Sequence, residues 1–210
     1  MSTPEQRVEL ARLGSATVYE AGGRGGYVDA ALYQAVPGSR AAGPARTVLC
    51  AQDDNLMVHA VMPEVKPGDV IVLTMPEPRP VALVGDLLAT QAQVAGAAAI
   101  LVDASIRDTE ELARMGLPIW ATYVRVNGAR KETAGELNVP VTVGGALINP
   151  GDVLVLDADG VAVVPADRVQ EVLAASLARE QKETFKRAKL QSGLNSYDLD
   201  GLRAVVESQR

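Results

Sequence analysis

Histidine and cysteine are almost missing from this 210-residue chain: each occurs once, as His59 and Cys50. A single cysteine cannot close an intrachain disulfide, so a reducing, cytoplasmic setting is the default expectation, and Cys50 in RTVLCA reads as an inert core thiol. One histidine cannot supply a three-histidine zinc site within the chain. His59, on an amphipathic stretch, is expected to be a structural hydrogen-bonding residue. Positive charge is also short, with 20 Lys and Arg against 26 Asp and Glu and a net charge of −6. That argues against a broad nucleic-acid face, because phosphate binding depends on clustered cations. The longest apolar run, VAGAAAILV, is far too short to span a bilayer, and MSTPEQRVEL has no apolar signal core, so no membrane partner is expected. Glycine is plentiful at 19, yet the GGRGG of residues 22–26 has the spacing of neither a dinucleotide fingerprint nor a P-loop. It reads as a flexible loop near a site.

What remains is the composition of an ordinary globular protein, 48% hydrophobic and 22% charged, long enough for one domain with a substantial core. Helical spacing and capping signals place helices over 4–13, 15–21, 54–64, 86–95, 108–116 and 167 to about 191. Strands are expected near 47–51, 81–84, 98–102, 141–143 and 160–164. Two more follow the turns in KPGDVIVL (66–73) and NPGDVLVL (149–156). These two share one form, and the simpler reading is that Pro-Gly-Asp is a common way into a strand. Mixed strands and helices without a strict βαβ rhythm predict a layered α/β domain rather than a dinucleotide-binding sheet. We divide it into an α/β catalytic core, 1–166, and a C-terminal helical extension, 167–210, within one structural domain.

The most informative pattern is Asp86 followed, after twenty intervening residues, by Arg107-Asp108. DLLATQAQVA reads as a helix ended by Gly96, and AAAILVD as a strand buried on both faces. One helix and one strand therefore return the chain to bring two carboxylates and a guanidinium together. Asp108 has two readings: N-cap of the next helix, with Glu111 in the capping-box position, or ligand to a hard cation. Magnesium and manganese need few protein ligands and keep several waters. Arg107 suits a substrate carboxylate, since a guanidinium makes two parallel charged hydrogen bonds. Gly85 permits close backbone approach, and Leu87 and Leu88 offer amides at a helix N-terminus.

Together with SATVYEAGGRGGYVDAAL, DNLMVHAV, VGDLLATQAQVAG, VDASIRDTEELARMGLPI and NVPVTVGG, this pattern resembles the class II pyruvate aldolases. These act on 4-hydroxy-4-methyl-2-oxoglutarate and 4-carboxy-4-hydroxy-2-oxoadipate, in the superfamily that also holds the ribonuclease-activity regulator A-like proteins. The resemblance implies a swivelling β/β/α-type core with a long C-terminal helix, a Mg2+ or Mn2+ cofactor and a 2-oxo acid substrate. It implies substrate contacts from Arg107 and from the backbone of Gly85, Leu87 and Leu88, a metal ligand in Asp108, and a proton-shuttling water held by Asp86. Lys131 falls where the family places a substrate-side lysine. Glu20 matches a residue near the distal carboxylates or a proton donor. Glu183, or Glu180 as second choice, would complete the metal site of a neighbouring subunit, in a homotrimer or homohexamer. Local pairing with Lys and Arg neighbours explains the same two glutamates. A non-enzymatic regulator of a ribonuclease or helicase, and a dedicated oxaloacetate decarboxylase, are the alternatives.

Overall fold

A computed structural model describes residues 2–209. Two short helices open the chain, α1 (Pro4–Leu13) and α2 (Ser15–Ala21). Thr3 and Gln6 form a reciprocal capping box at the start of α1, and Gly14, at φ +86°, turns the chain into α2. There follow β1 (Tyr33–Gln34), β2 (Ala41–Leu49), α3 (Leu56–Val61) with a 3-10 turn over Met62–Glu64, β3 (Val70–Thr74), β4 (Ala82–Val84) and α4 (Asp86–Val94). Next come β5 (Ala99–Ile106), α5 (Thr109–Met115), β6 (Ile119–Val124), β7 (Glu136–Leu137), β8 (Val141–Val143) and β9 (Ala146–Ile148). The chain ends with β10 (Val153–Asp157), β11 (Gly160–Val164), α6 (Val169–Gln191), α7 (Ser196–Leu199) and α8 (Leu202–Ser208).

The described residues form one mixed sheet in the order β1-β6-β5-β3-β2-β10-β11, with β4 added beside β5 and β7 beside β2, and a separate β8–β9 hairpin. Strands β2, β3, β5 and β6 run parallel, and β10 and β11 continue the sheet antiparallel. Strand β5 is buried along its whole length. Its Ile100, Val102, Ala104 and Ile106 pack on one face with residues of α3, α4 and α5, while Ala99 and Leu101 pack on the other with the β8–β9 hairpin and Trp120. A third cluster joins α1, α2 and α6 to β10 and β11. The chain is thus a single layered α/β domain with a curled sheet and a long C-terminal helix.

Several elements depart from the sequence reading, among them the short strands β1, β7 and β9, which it did not place. Strand β2 begins at Ala41 rather than Thr47, because Gly43 and Pro44 disguise its first half; a Cβ on Gly43 would lie 2.2 Å from the Gly68 carbonyl oxygen. Strand β6, IWATYV, is a true sheet member that the sequence reading passed over. The GGRGG loop packs on β11, where Gly26 accepts from the Val163 amide at 2.8 Å, and it lines no part of the cavity described below.

Candidate active site

The carboxyl ends of β4 and β5 lie side by side, the place where open parallel sheets present ligand sites. Strand β4 runs into Gly85 and Asp86 at the start of α4, and β5 runs into Arg107 and Asp108 at the start of α5. The Arg107 amide donates to the Val84 carbonyl at 3.0 Å, which locks the two ends in register.

The backbone of Asp108 bears on the first of its two readings, the helix cap. It occupies the N-cap position of α5 with φ 59° and ψ 39°, in the left-handed region, and its side chain caps nothing in that helix. The expected capping box does not form, and Glu111 instead pairs with Arg114 at 2.9 Å. A non-glycine residue held at positive φ is a strained conformation found at functional sites. The carboxylate turns back toward α4, where Asp108 Oδ2 accepts from the Asp86 amide at 3.2 Å. Gly85 is required by this approach, since a Cβ there would lie 2.4 Å from Asp108 Oδ2 and 3.3 Å from Arg107 Nε. Arg107 is threaded past a second glycine: a Cβ on Gly128 would stand 2.8 Å from its Nη1. The guanidinium is half-exposed, with Nε 3.7 Å from Asp108 Oδ2, which leaves most of its donors for a ligand.

A cavity of about 160 Å³ opens beside this pair, lined by Gly85, Asp86, Leu87, Leu88 and Arg107 and, across from them, by Asn55, His59, Gly128 and Lys131. It is well below the roughly 300 Å³ at which pockets for drug-sized ligands begin, and it suits a short acid. Lys131 lines this cavity together with Arg107. The sequence reading missed Asn55 and Gly128, and it took His59 as a structural hydrogen-bonding residue. In the fold, Asn55 Nδ2 donates to the Leu83 carbonyl at 3.0 Å, but Asn55 Oδ1 and His59 Nε2 are buried with no hydrogen-bond partner among the described residues. Unpaired buried polar atoms are costly and rare, and both residues line this cavity. Burial and then the Lys131 charge push the His59 pKa down, which favours the neutral ring.

Buried Asp54 holds the far wall in place. Its Oδ2 accepts from the Glu132 and Thr133 amides at 2.7 and 3.0 Å, and its Oδ1 from the Leu56 amide at 2.8 Å. One carboxylate therefore ties the loop carrying Lys131 to the helix carrying His59. The expectation of open amides at α4 needs one correction, because Asp86 Oδ1 already accepts from the Leu87 amide at 2.8 Å.

The remaining predicted residues lie elsewhere in the chain. Glu180 makes a two-point ion pair with Arg12 of α1, each bond 2.6 Å. Glu183 pairs with Arg179 at 2.8 Å, and Arg179 in turn lies 3.7 Å from Glu20, which also pairs with Arg24 at 2.9 Å. Glu20 and Glu183, read separately from the sequence, thus share one arginine on the outer face of α2 and α6, and neither lines the cavity. Among the described residues of one chain, no three His, Cys, Asp or Glu side chains converge on one point. Among the described residues, no helix is long and apolar enough to cross a membrane.

The RraA-like family, described as aldolase/RraA, matches residues 15–163, and the chain belongs to it. A Halalkalibacterium halodurans protein, provisionally named a 4-hydroxy-4-methyl-2-oxoglutarate aldolase, is 40% identical over 165 residues, covering 79% of this chain and 76% of that protein. Among solved structures, Streptomyces coelicolor RraAS2, described as an unusual member of the RNase ES inhibitor RraA family, superposes with a TM-score of 0.75 at 34% identity, covering 89% of this chain and 97% of its own. The RNA-processing inhibitor RraA of Thermus thermophilis gives 0.60 at 33% identity over 64% of this chain and 81% of its own.

Proposed function

We propose that the chain is a divalent-metal-dependent aldolase that releases pyruvate from 4-hydroxy-2-oxo diacids, 4-hydroxy-4-methyl-2-oxoglutarate and 4-carboxy-4-hydroxy-2-oxoadipate, with oxaloacetate decarboxylation as a second activity. The observation that carries this reading is the Asp108 carboxylate, strained at positive φ and turned from its own helix toward Asp86, next to a small cavity holding Arg107. The name of the H. halodurans relative points the same way.

The reaction breaks the C3–C4 bond of the substrate. Its electron pair moves into the C2 ketone to give the enolate of pyruvate, the C4 hydroxyl loses its proton and becomes a carbonyl, and a proton delivered to C3 completes pyruvate. Oxaloacetate reaches the same enolate by losing carbon dioxide. Arg107 binds the C1 carboxylate in two-point fashion and sets the ketone beside the acidic pair. The amides of Leu87 and Leu88 add donors at the positive end of α4. A substrate oxygen arriving at the Leu87 amide displaces Asp86 Oδ1 from it, which frees that carboxylate to exchange a proton through a water. Lys131 adds positive charge opposite Arg107, and neutral His59 with Asn55 Oδ1 can each pair with a substrate hydroxyl.

The donor set fits a hard cation, being all oxygen, but is half complete in one chain. Asp108 would hold Mg2+ or Mn2+ together with Glu183 of a neighbouring subunit, in a trimer or hexamer, with Glu20 arriving on the same surface near the distal carboxylates. The bound cation supplies charge stabilisation for the enolate oxygen.

A regulator that binds a ribonuclease is the second reading, favoured by the descriptions of the S. coelicolor and T. thermophilis relatives. The separating experiment is pyruvate release from the two hydroxy acids and from oxaloacetate, with Mg2+ or Mn2+ and then with chelator, for wild type and Asp108→Ala. Metal-dependent release from the hydroxy acids, lost in the variant, is the expected result. Release from oxaloacetate alone makes the protein a decarboxylase, and no release from any of the three favours the regulator.

A further inference from the structure

The two Pro-Gly-Asp turns, which look coincidental in sequence, meet in space. Lys66–Asp69 and Asn149–Asp152 adopt the same type II geometry: proline at the second position, glycine at φ +88° and +90° at the third, and the last amide donating to the first carbonyl at 3.0 and 3.1 Å. In each, the aspartate turns back to accept from the first residue's amide, at 3.0 Å for Asp69 and 2.9 Å for Asp152. They stand on opposite sides of β2, at Ala45 where β3 begins and at Pro44 where β10 begins. Between them lies a cavity of about 530 Å³, near the amino ends of β2 and β3 and away from Gly85 and Arg107.

Its walls carry three cations, Arg7, Arg46 and Lys66. Arg46 is satisfied: Nε and Nη2 donate to Asp69 at 3.1 and 3.0 Å, and Nη1 donates to Asn138 at 3.1 Å. Asp69 is thereby neutralised. Arg7 and Lys66 form no ion pair and no side-chain hydrogen bond among the described residues. The Arg7 guanidinium lies flat against Gly68, where a Cβ would be 2.9 Å from Nη1. Of the nearby acids, Glu5 is fully exposed and its carboxyl is lowered only in small part by Arg7, while Glu64 accepts from Asn138. Partly buried Arg7 and exposed Lys66 thus present two cations without an ion-pair partner to one concavity, on a chain of net charge −6, and an anion placed between them would be attracted by both.

We propose that this cavity is a second ligand site, for a small dianion held between Arg7 and Lys66 with the rigid turns as its walls. A tetrahedral phosphate and a short dicarboxylate share that chemistry. The test is titration of the full chain with inorganic phosphate and, separately, malonate at constant ionic strength, following the Gly68 and Gly151 amides by NMR. Saturable one-site binding by either probe is expected, weakened about tenfold by Arg7→Gln or Lys66→Gln and unchanged by Arg107→Gln. Response to phosphate alone assigns a tetrahedral oxyanion, and to malonate alone a diacid. The proposal is overturned if the Arg7→Gln/Lys66→Gln protein, folded by its thermal midpoint, binds as wild type does. It is equally overturned if binding is lost only in Arg107→Gln, or if neither probe binds saturably. None of these outcomes depends on aldolase activity.

Discussion

Asp108 and Asp86 are joined by one hydrogen bond, 3.2 Å from the Asp86 amide to Asp108 Oδ2, and that bond links the starts of two helices 22 residues apart. It is possible only because Gly85 lacks a side chain. Gly85→Ala is therefore expected to push the Asp108 carboxylate aside and to lower kcat by about 100-fold, the scale of a roughly 1 Å misplacement. The thermal midpoint should fall only a few degrees. Steady-state pyruvate release beside a melting curve checks both.

Arg107→Lys keeps the charge and removes the planar fork. Its expected effect is a rise in KM above tenfold, equivalent to roughly 1.5–3 kcal/mol of charge-assisted hydrogen bonding, and a smaller fall in kcat. Equal loss in both variants, Arg107→Lys and Arg107→Ala, would mean that the fork matters no less than the charge.

Asp54 couples the two halves of the cavity wall. Burial would raise its pKa, but the Glu132, Leu56 and Thr133 amides more than offset burial, and Arg130 adds to them, so the carboxyl is held below its usual range. A carboxyl lowered in the folded state contributes stability above its unfolded pKa, and that contribution fades as pH falls through the folded value. Asp54→Ala leaves three amides unpaired and should cost on the order of 3 kcal/mol at pH 7. The difference from wild type should shrink in the acid range below pH 4. Chemical denaturation at pH 7 and pH 3.5 reads the effect directly.

Asp103 behaves oppositely. It is buried in β5, where burial raises its pKa despite hydrogen bonds from the Thr122 and Thr74 hydroxyls at 3.1 and 3.3 Å. A carboxyl raised by folding costs stability as pH climbs from its unfolded value through its folded one. Asp103→Asn should accordingly be more stable than wild type at neutral pH, with the gain vanishing toward pH 4. A lower thermal midpoint at pH 7 would show that the ionised form is used.

Much of this was legible in the sequence, and the reasons are local. Apolar run length and capping residues fixed the helix and the strand between Asp86 and Arg107, so the two ends had to return together. The same patterns could not show that Asp108 leaves its own helix uncapped, because that depends on a left-handed backbone set by packing against Gly85. Glu180 read as paired with a local Lys or Arg or, as second choice, as reaching a neighbouring subunit, yet its partner Arg12 lies 168 residues away. Gly128 carried no signal, and Asn55 and His59 stood in the DNLMVHAV stretch without a site role, because their meaning comes from what faces them across a cavity. Strand β2 was cut short by a proline that follows a glycine, and the glycine answers to Gly68 on the adjacent turn.

Formation of the pyruvate enolate tests the central claim most directly, and it can be read without choosing among substrates. Wild-type protein with Mg2+ or Mn2+ in deuterated water is predicted to exchange the methyl protons of pyruvate, seen as loss of the methyl proton NMR signal. Exchange should stop with chelator and in Asp108→Ala and Arg107→Ala. No exchange by the metal-supplied wild type, or exchange that persists undiminished in both variants, would contradict the account.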